Sequence, residues 1–243
     1  MAEFILTTPV LPWPTDQGSK YFQLEVARGL KSLGPVTWVT REIGDQSAAI
    51  EHLRSEGFEL RIDHSFRDRS AFARVKRRIG IDLRAMRQGV ARDEAFVCSP
   101  TVRELVGQAR AELPDAFGAA VYWSATPLLD GFPEGRRIYA VSDIDSVRES
   151  RGPNPLDQRF ADSERRALQR SDLALTLSDE DREDALQLLG TEGREYGLIE
   201  SGVRAAGGAA GVEHDPRAVD KADANTLMLA DRADHRVGVG EVV

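Results

Sequence analysis

The 243-residue chain carries a formal net charge of −8, which argues against a nucleic-acid binder, since phosphate contacts need an excess of Lys and Arg. With 41% hydrophobic residues and three tryptophans it can bury a substantial core. One cysteine, Cys98, excludes an internal disulfide; His52, His64, His214 and His235 show no zinc-ligand spacing with it; and neither a basic leader nor an apolar run long enough to span a membrane is visible, so a soluble cytoplasmic protein without a metal site is the expectation.

From the N-terminus, Phe4 to Thr8 is a short apolar run that reads as a buried strand. A proline-rich loop follows, and Tyr21 to Leu33 then carries Phe22, Val26, Leu30 and Leu33 at helical spacing. Gly34 and Pro35 stop that helix before a β-branched strand, Val36 to Thr40. Strand, helix and strand in this order form a βαβ unit, which predicts a parallel sheet with a right-handed crossover. The alternation continues with a helix over 48–56, a strand over 58–62 and a long helix over 69–92 whose apolar stripe is Phe72, Val75, Ile79, Leu83, Met86 and Val90. Phe96 to Cys98 is predicted as a brief strand and Thr101 to Ala111 as a helix. Strands are expected over 119–124, 138–142, 173–178 and 196–200, and helices over 160–170 and 179–189. The predicted fold is a Rossmann-like, doubly wound, mostly parallel α/β domain over residues 1–204. Residues 205–243 are rich in Ala, Gly, Asp and Val without an aromatic residue; they are expected to be a flexible tail, because they offer too little apolar surface to offset ordering entropy.

Ligands of such folds lie beyond the carboxyl ends of the strands, so the loops there are the candidate sites. In PVLPWPTDQGSK, Gly18 precedes a predicted helix whose free amides and dipole favour an anion. Ser19 is a candidate cap and Lys20 adds a positive charge; the alternative is a proline-stiffened connector. Neither a dinucleotide fingerprint nor a P-loop is present. In RRIYAVSDIDSV a strand runs into Asp143, Asp145 and Ser146. Two carboxylates at that spacing can hold a divalent ion with a diphosphate, or position or deprotonate an acceptor hydroxyl; a solvated Asx turn is the plainer reading. Trp123 and Ser124 end another strand-like run, where an aromatic ring either stacks on a sugar or belongs to the core. Finally, residues 67–92 hold nine basic residues against Asp68 and Asp82, a local charge of +7. A basic amphipathic helix of this kind lies on an anionic membrane surface or presents a solvated outer face.

Taken in order, these segments resemble the N-terminal, acceptor-side domain of family 4 glycosyltransferases of the GT-B fold. The similar stretches are PWPTDQGSKYFQLEVARGLKSLGPVTWVT, VSDIDSV, ERRALQRSDLALTLSDEDRE and IESGV, covering roughly residues 4 to 204. The resemblance implies that Gly18 and Lys20 face an inter-domain cleft; Ser19, Trp123, Ser124 and Ser146 are the further candidates for holding the acceptor or a phosphate. It also implies that Asp143 and Asp145 act on the acceptor, and that a nucleotide diphosphate sugar is the co-substrate, without a further cofactor. Members often have two adjacent glycines where this chain has Gln17-Gly18. Only 39 residues follow Arg204, too few for the second domain that holds the donor in that family. The expected partners are therefore a sugar acceptor, a separate donor-domain protein and, through residues 67–92, the inner membrane surface. Two other readings are a small metal-dependent GT-A glycosyltransferase using Asp143 and Asp145, and a non-catalytic partner subunit.

Overall fold

A computed structural model describes residues 2–15, 18–68, 70–141, 144, 147, 158–176, 178–190 and 197–200. Its strands are β1 (Phe4–Thr7), β2 (Val36–Ile43), β3 (Glu59–Phe66), β4 (Phe117–Val121), β5 (Arg137–Ala140), β6 (Leu173–Thr176) and β7 (Gly197–Glu200). They form one sheet in the order β3-β2-β1-β4-β5-β6-β7, with every pairing parallel. The helices are α1 (Gly18–Leu33), α2 (Ser47–Ser55), α3 (Ala71–Gln88), α4 (Arg92–Val97), α5 (Pro100–Glu112), α6 (Gln158–Arg170) and α7 (Asp179–Leu189), with a 3₁₀ helix at Trp123–Gly131.

The central strand β1 is buried throughout, as its unbroken apolar sequence requires when helices cover both faces of the sheet. Phe4 and Leu6 pack on one face with Leu24, Val26 and Leu30 of α1 and Ile50 and Leu53 of α2. Ile5 points to the other face, where Val102, Val106 and Ala109 of α5 meet Leu128 and Leu129 of the 3₁₀ helix. A third apolar group joins Tyr139 of β5 and Ala174 of β6 to Ala167 and Leu168 of α6 and Leu188 of α7. The doubly wound α/β architecture expected from the alternation is the one observed.

Helix boundaries follow local chemistry. Ser70, Ser99 and Ser178 each accept a backbone N–H of the helix they precede, from Ala73, Val102 and Asp181. At the end of α3, Gly89 adopts φ 64°, the left-handed stop that glycine accommodates best. At Gly34 the reason for glycine is space: a Cβ would collide with the Ala2 carbonyl.

Four expectations change, the first being that β4 ends at Val121, so that Trp123 and Ser124 open the 3₁₀ helix instead of ending a strand. The segment 96–98 is not a strand but the end of α4, whose acidic first-turn residues Asp93 and Glu94 suit a helix N-terminus. Helix α1 begins at Gly18, so Ser19 lies inside its first turn instead of capping it. The predicted long helix stops at Gln88, and its apolar stripe faces outward: Phe72, Val75, Ile79, Leu83 and Met86 are all more than half exposed. The core contacts of α3 come instead from Ile81 and Ala85.

One buried polar group fixes the carboxyl edge of the sheet. Arg41 of β2 lies opposite Asp63 of β3 in the register and pairs with it at 2.9 Å, both side chains being almost fully buried. The same guanidinium donates to the Phe96 carbonyl at 2.6 Å and to Ser99 Oγ at 2.7 Å. It also lies 4.4 Å from the ring centres of both Phe66 and Phe96. Burial pushes the Asp63 carboxyl up, but Ser65 and Arg41 outweigh it and hold the group below its ordinary value.

Asp63→Ala leaves a buried guanidinium without its counter-charge, so urea unfolding at neutral pH is expected to show a loss of about 3–5 kcal/mol. Because the folded-state pKa is depressed, the stabilisation is complete above the unfolded value of about 4 and fades as pH falls through the folded one. The difference in stability between the wild-type chain and the variant therefore shrinks in strong acid.

Candidate functional site

The strand order reverses beside β1: the chain moves outward to β2 and β3 on one side, then returns to place β4 on the other. In open parallel sheets the crevice at such a reversal, beyond the carboxyl ends of the strands, is where ligands bind. Here β1, the start of α1 and the end of β4 surround it.

The loop leaving β1 is held firmly. Thr7 Oγ1 donates across the reversal to the Ala119 carbonyl at 3.1 Å. Thr8 Oγ1 accepts the indole N–H of Trp38 at 2.9 Å and lies 2.9 Å from Thr40 Oγ1. Backbone N–H groups of Thr8 and Leu11 donate to the Val39 and Arg41 carbonyls, and Leu11 is fully buried. Trp13 stacks on His52 of α2, with ring centres 3.8 Å apart. The proline-rich segment is thus drawn over the end of β2 before the chain enters α1.

Gly18 opens α1 on the surface, and a Cβ placed there would meet nothing within 4 Å. The packing of the protein therefore does not require glycine at that position. The positive end of the helix dipole lies at this turn, with Lys20 half-buried in it. Across the crevice, Tyr122 follows the last residue of β4 with φ 70° and ψ 144°, a region that residues with a side chain rarely occupy. Its hydroxyl donates to the Ser19 carbonyl at 2.9 Å, and its ring stands edge-on to Phe22. Tyr122 thereby ties the end of β4 to the first turn of α1.

The turn at Tyr122 sends the next residues inward. Trp123 is buried with its ring edge-on to Phe160 of α6, 4.8 Å between centres. Ser124 is buried too, its carbonyl accepting the Cys98 thiol at 3.3 Å. Of the sequence candidates, Gly18, Ser19 and Lys20 come together at the crevice, whereas Trp123 and Ser124 belong to the core behind it. Asp143, Asp145 and Ser146 lie outside the described residues. Among the described residues, no three His, Cys, Asp or Glu side chains are grouped as a metal site would need. Tyr122 escapes sequence reasoning; the only available signal is an aromatic residue where an apolar strand gives way to WSATP.

Two further features occupy the carboxyl ends of β2 and β3. The buried Glu42 carboxylate meets His64 Nδ1 at 2.5 Å and accepts the Gln46 N–H at 2.9 Å. Burial pushes that carboxyl up, but Gln46, His64 and Arg67 together hold it below its usual value. Beside this pair, a cleft of about 530 Å3 is floored by Ile43, Phe66 and Phe96 and rimmed by Arg74, Arg77, Arg78 and Arg92. Compared with known proteins, the chain matches no family model and no curated protein.

Because Tyr122 holds a positive φ, replacement by glycine is expected to be tolerated better than replacement by alanine, by about 1 kcal/mol in chemical denaturation. Tyr122→Phe, which removes the hydroxyl that bonds Ser19, is expected to cost about 0.5–1.5 kcal/mol.

Proposed function

We propose that this chain supplies the acceptor side of a sugar transfer, with the crevice between β1 and β4 receiving a saccharide, lipid-linked or small-molecule acceptor. The observation that carries the reading is the open first turn of α1 at Gly18, facing a strained Tyr122 at the reversal of strand order. A glycine with free space above it lets a ligand approach the backbone amides, where a side chain would hold it off. The helix dipole and Lys20 then favour a phosphate or a developing oxyanion. The P-x-P-x-x-x-G form of the preceding loop adds the resemblance to family 4 glycosyltransferases.

In this reading Asp143 and Asp145, which follow β5 in the chain, orient or deprotonate the acceptor hydroxyl. The co-substrate is a nucleotide diphosphate sugar, held mainly by a donor domain or a donor-domain protein. The chemistry is cytoplasmic, where nucleotide sugars are available.

The test uses a substitution that the fold accommodates. Gly18→Val adds atoms only to open space, so thermal unfolding should be little changed. Saccharide binding, measured on a glycan array and then by calorimetry, is expected to fall about tenfold or more, the equivalent of one good contact. Absence of saccharide binding in the wild-type chain, or equal binding by Gly18→Val, would overturn the proposal. A parallel titration with nucleotide diphosphate sugars, with manganese or with EDTA, separates the other enzyme reading. Binding only with metal, lost in Asp143→Asn and Asp145→Asn, would assign those residues to a metal-dependent donor site instead.

A further inference from the structure

We infer that α3 docks the protein in the plane of an anionic lipid surface, an inference that stands apart from the reading of the crevice. The helix is turned inside out relative to an ordinary surface helix. Arg77 reaches inward to the Ser65 carbonyl at 3.1 Å and to the Asp68 carbonyl, over the ring of Phe66. Arg84 likewise donates to the Ala95 carbonyl at 2.9 Å. The large apolar residues point away from the protein, with Phe72 as much as 79% exposed. A contiguous strip of this kind is rare on a protein that stays in water.

The charges bordering the strip decide what covers it. Helical spacing sets Lys76 and Arg87 along one side of the strip and Arg78 along the other. Over Ala71–Gln88 six basic residues face a single acidic one, Asp82, giving +5 in a chain whose total is −8. A second copy of the chain would set the same basic border of Lys76, Arg78 and Arg87 against itself across a two-fold contact, which is repulsive. An anionic bilayer meets both demands: acyl chains receive the strip, while long basic side chains run along it and keep their charge at the level of the phosphates. Arg74 and Arg78 also rim the cleft behind the helix, beside Phe66 and Phe96, so that Arg78 borders both the cleft and the strip. Among the described residues, no helix is long and apolar enough to cross a membrane; the contact proposed is in-plane and reversible.

The experiment is flotation of the full-length chain with extruded vesicles of phosphatidylcholine alone and of phosphatidylcholine containing phosphatidylglycerol. Partition is expected to be at least about tenfold stronger on the anionic vesicles, at roughly fivefold per engaged cation, and to weaken with added salt. Phe72→Ser with Ile79→Ser should lose about tenfold or more of that partition without a change in thermal unfolding, because both side chains are exposed. Arg78→Glu with Arg87→Glu should abolish the preference for anionic vesicles. Equal partition on the two vesicle types, or variants that float like the wild-type chain, would overturn the inference. So would full displacement by soluble glycerol phosphate, which marks a free-phosphate site, or a self-association removed by Phe72→Ser, which marks a protein contact.

Discussion

A single buried guanidinium organises the carboxyl edge of this sheet. Taking Arg41 out of water is costly, and burial accordingly pulls its pKa below the usual value. That cost is offset from three elements: Asp63 and the ring of Phe66 on β3, the carbonyl and ring of Phe96 at the end of α4, and Ser99 at the start of α5. Its own backbone carbonyl accepts from Leu11 in the proline-rich loop. One residue thus links the loop bordering the crevice to the aromatic floor of the cleft behind α3. Neither region can shift far without disturbing the same hydrogen bonds.

That arrangement explains why α3 can be so lightly anchored to the rest of the fold. Phe66 and Phe96 are held from beneath by Arg41, so Ile81, Ala85 and the inward Arg77 and Arg84 find a rigid surface to rest on. The remaining side chains of the helix are then free to face outward. At the crevice the logic is opposite: Thr7, Thr8 and Tyr122 each turn a hydroxyl onto a backbone carbonyl, of Ala119, Val10 and Ser19. The turn at Gly18 thus lies beside backbone that these hydroxyls hold.

Much of this was legible in the sequence, and the failures have physical causes. Continuous apolar strands alternating with amphipathic helices predicted a parallel doubly wound sheet, because only helices on both faces bury such strands. Gly34 and Pro35 mark the end of α1 as helix breakers, whereas the structure needs a glycine at 34 for a different reason, the space beside the Ala2 carbonyl. The run at 96–98 resembles a strand because three apolar residues carry no period, and the acidic turn before them is the better guide to the helix that forms. Periodicity located the stripe on α3 but cannot say which way a stripe faces. The Arg41–Asp63 pair depends on strand register, which neither residue announces. Of the site, the turn at Gly18 was readable from glycine and helix position, whereas the backbone of Tyr122 has no signature in residue type. Trp123 and Ser124 were one step too far along, because the chain turns inward immediately after Tyr122.

Cys98 offers a last consequence. Its thiol is buried beneath the 3₁₀ helix, hydrogen-bonded to the Ser124 carbonyl and pushed up to about 12 by burial. It is also the only cysteine in the chain. Thiol reagents attack the thiolate, so in the closed state this sulfur is chemically silent. Its modification rate becomes a native clock for the opening of the seam between α4 and the 3₁₀ helix, read without introducing any probe.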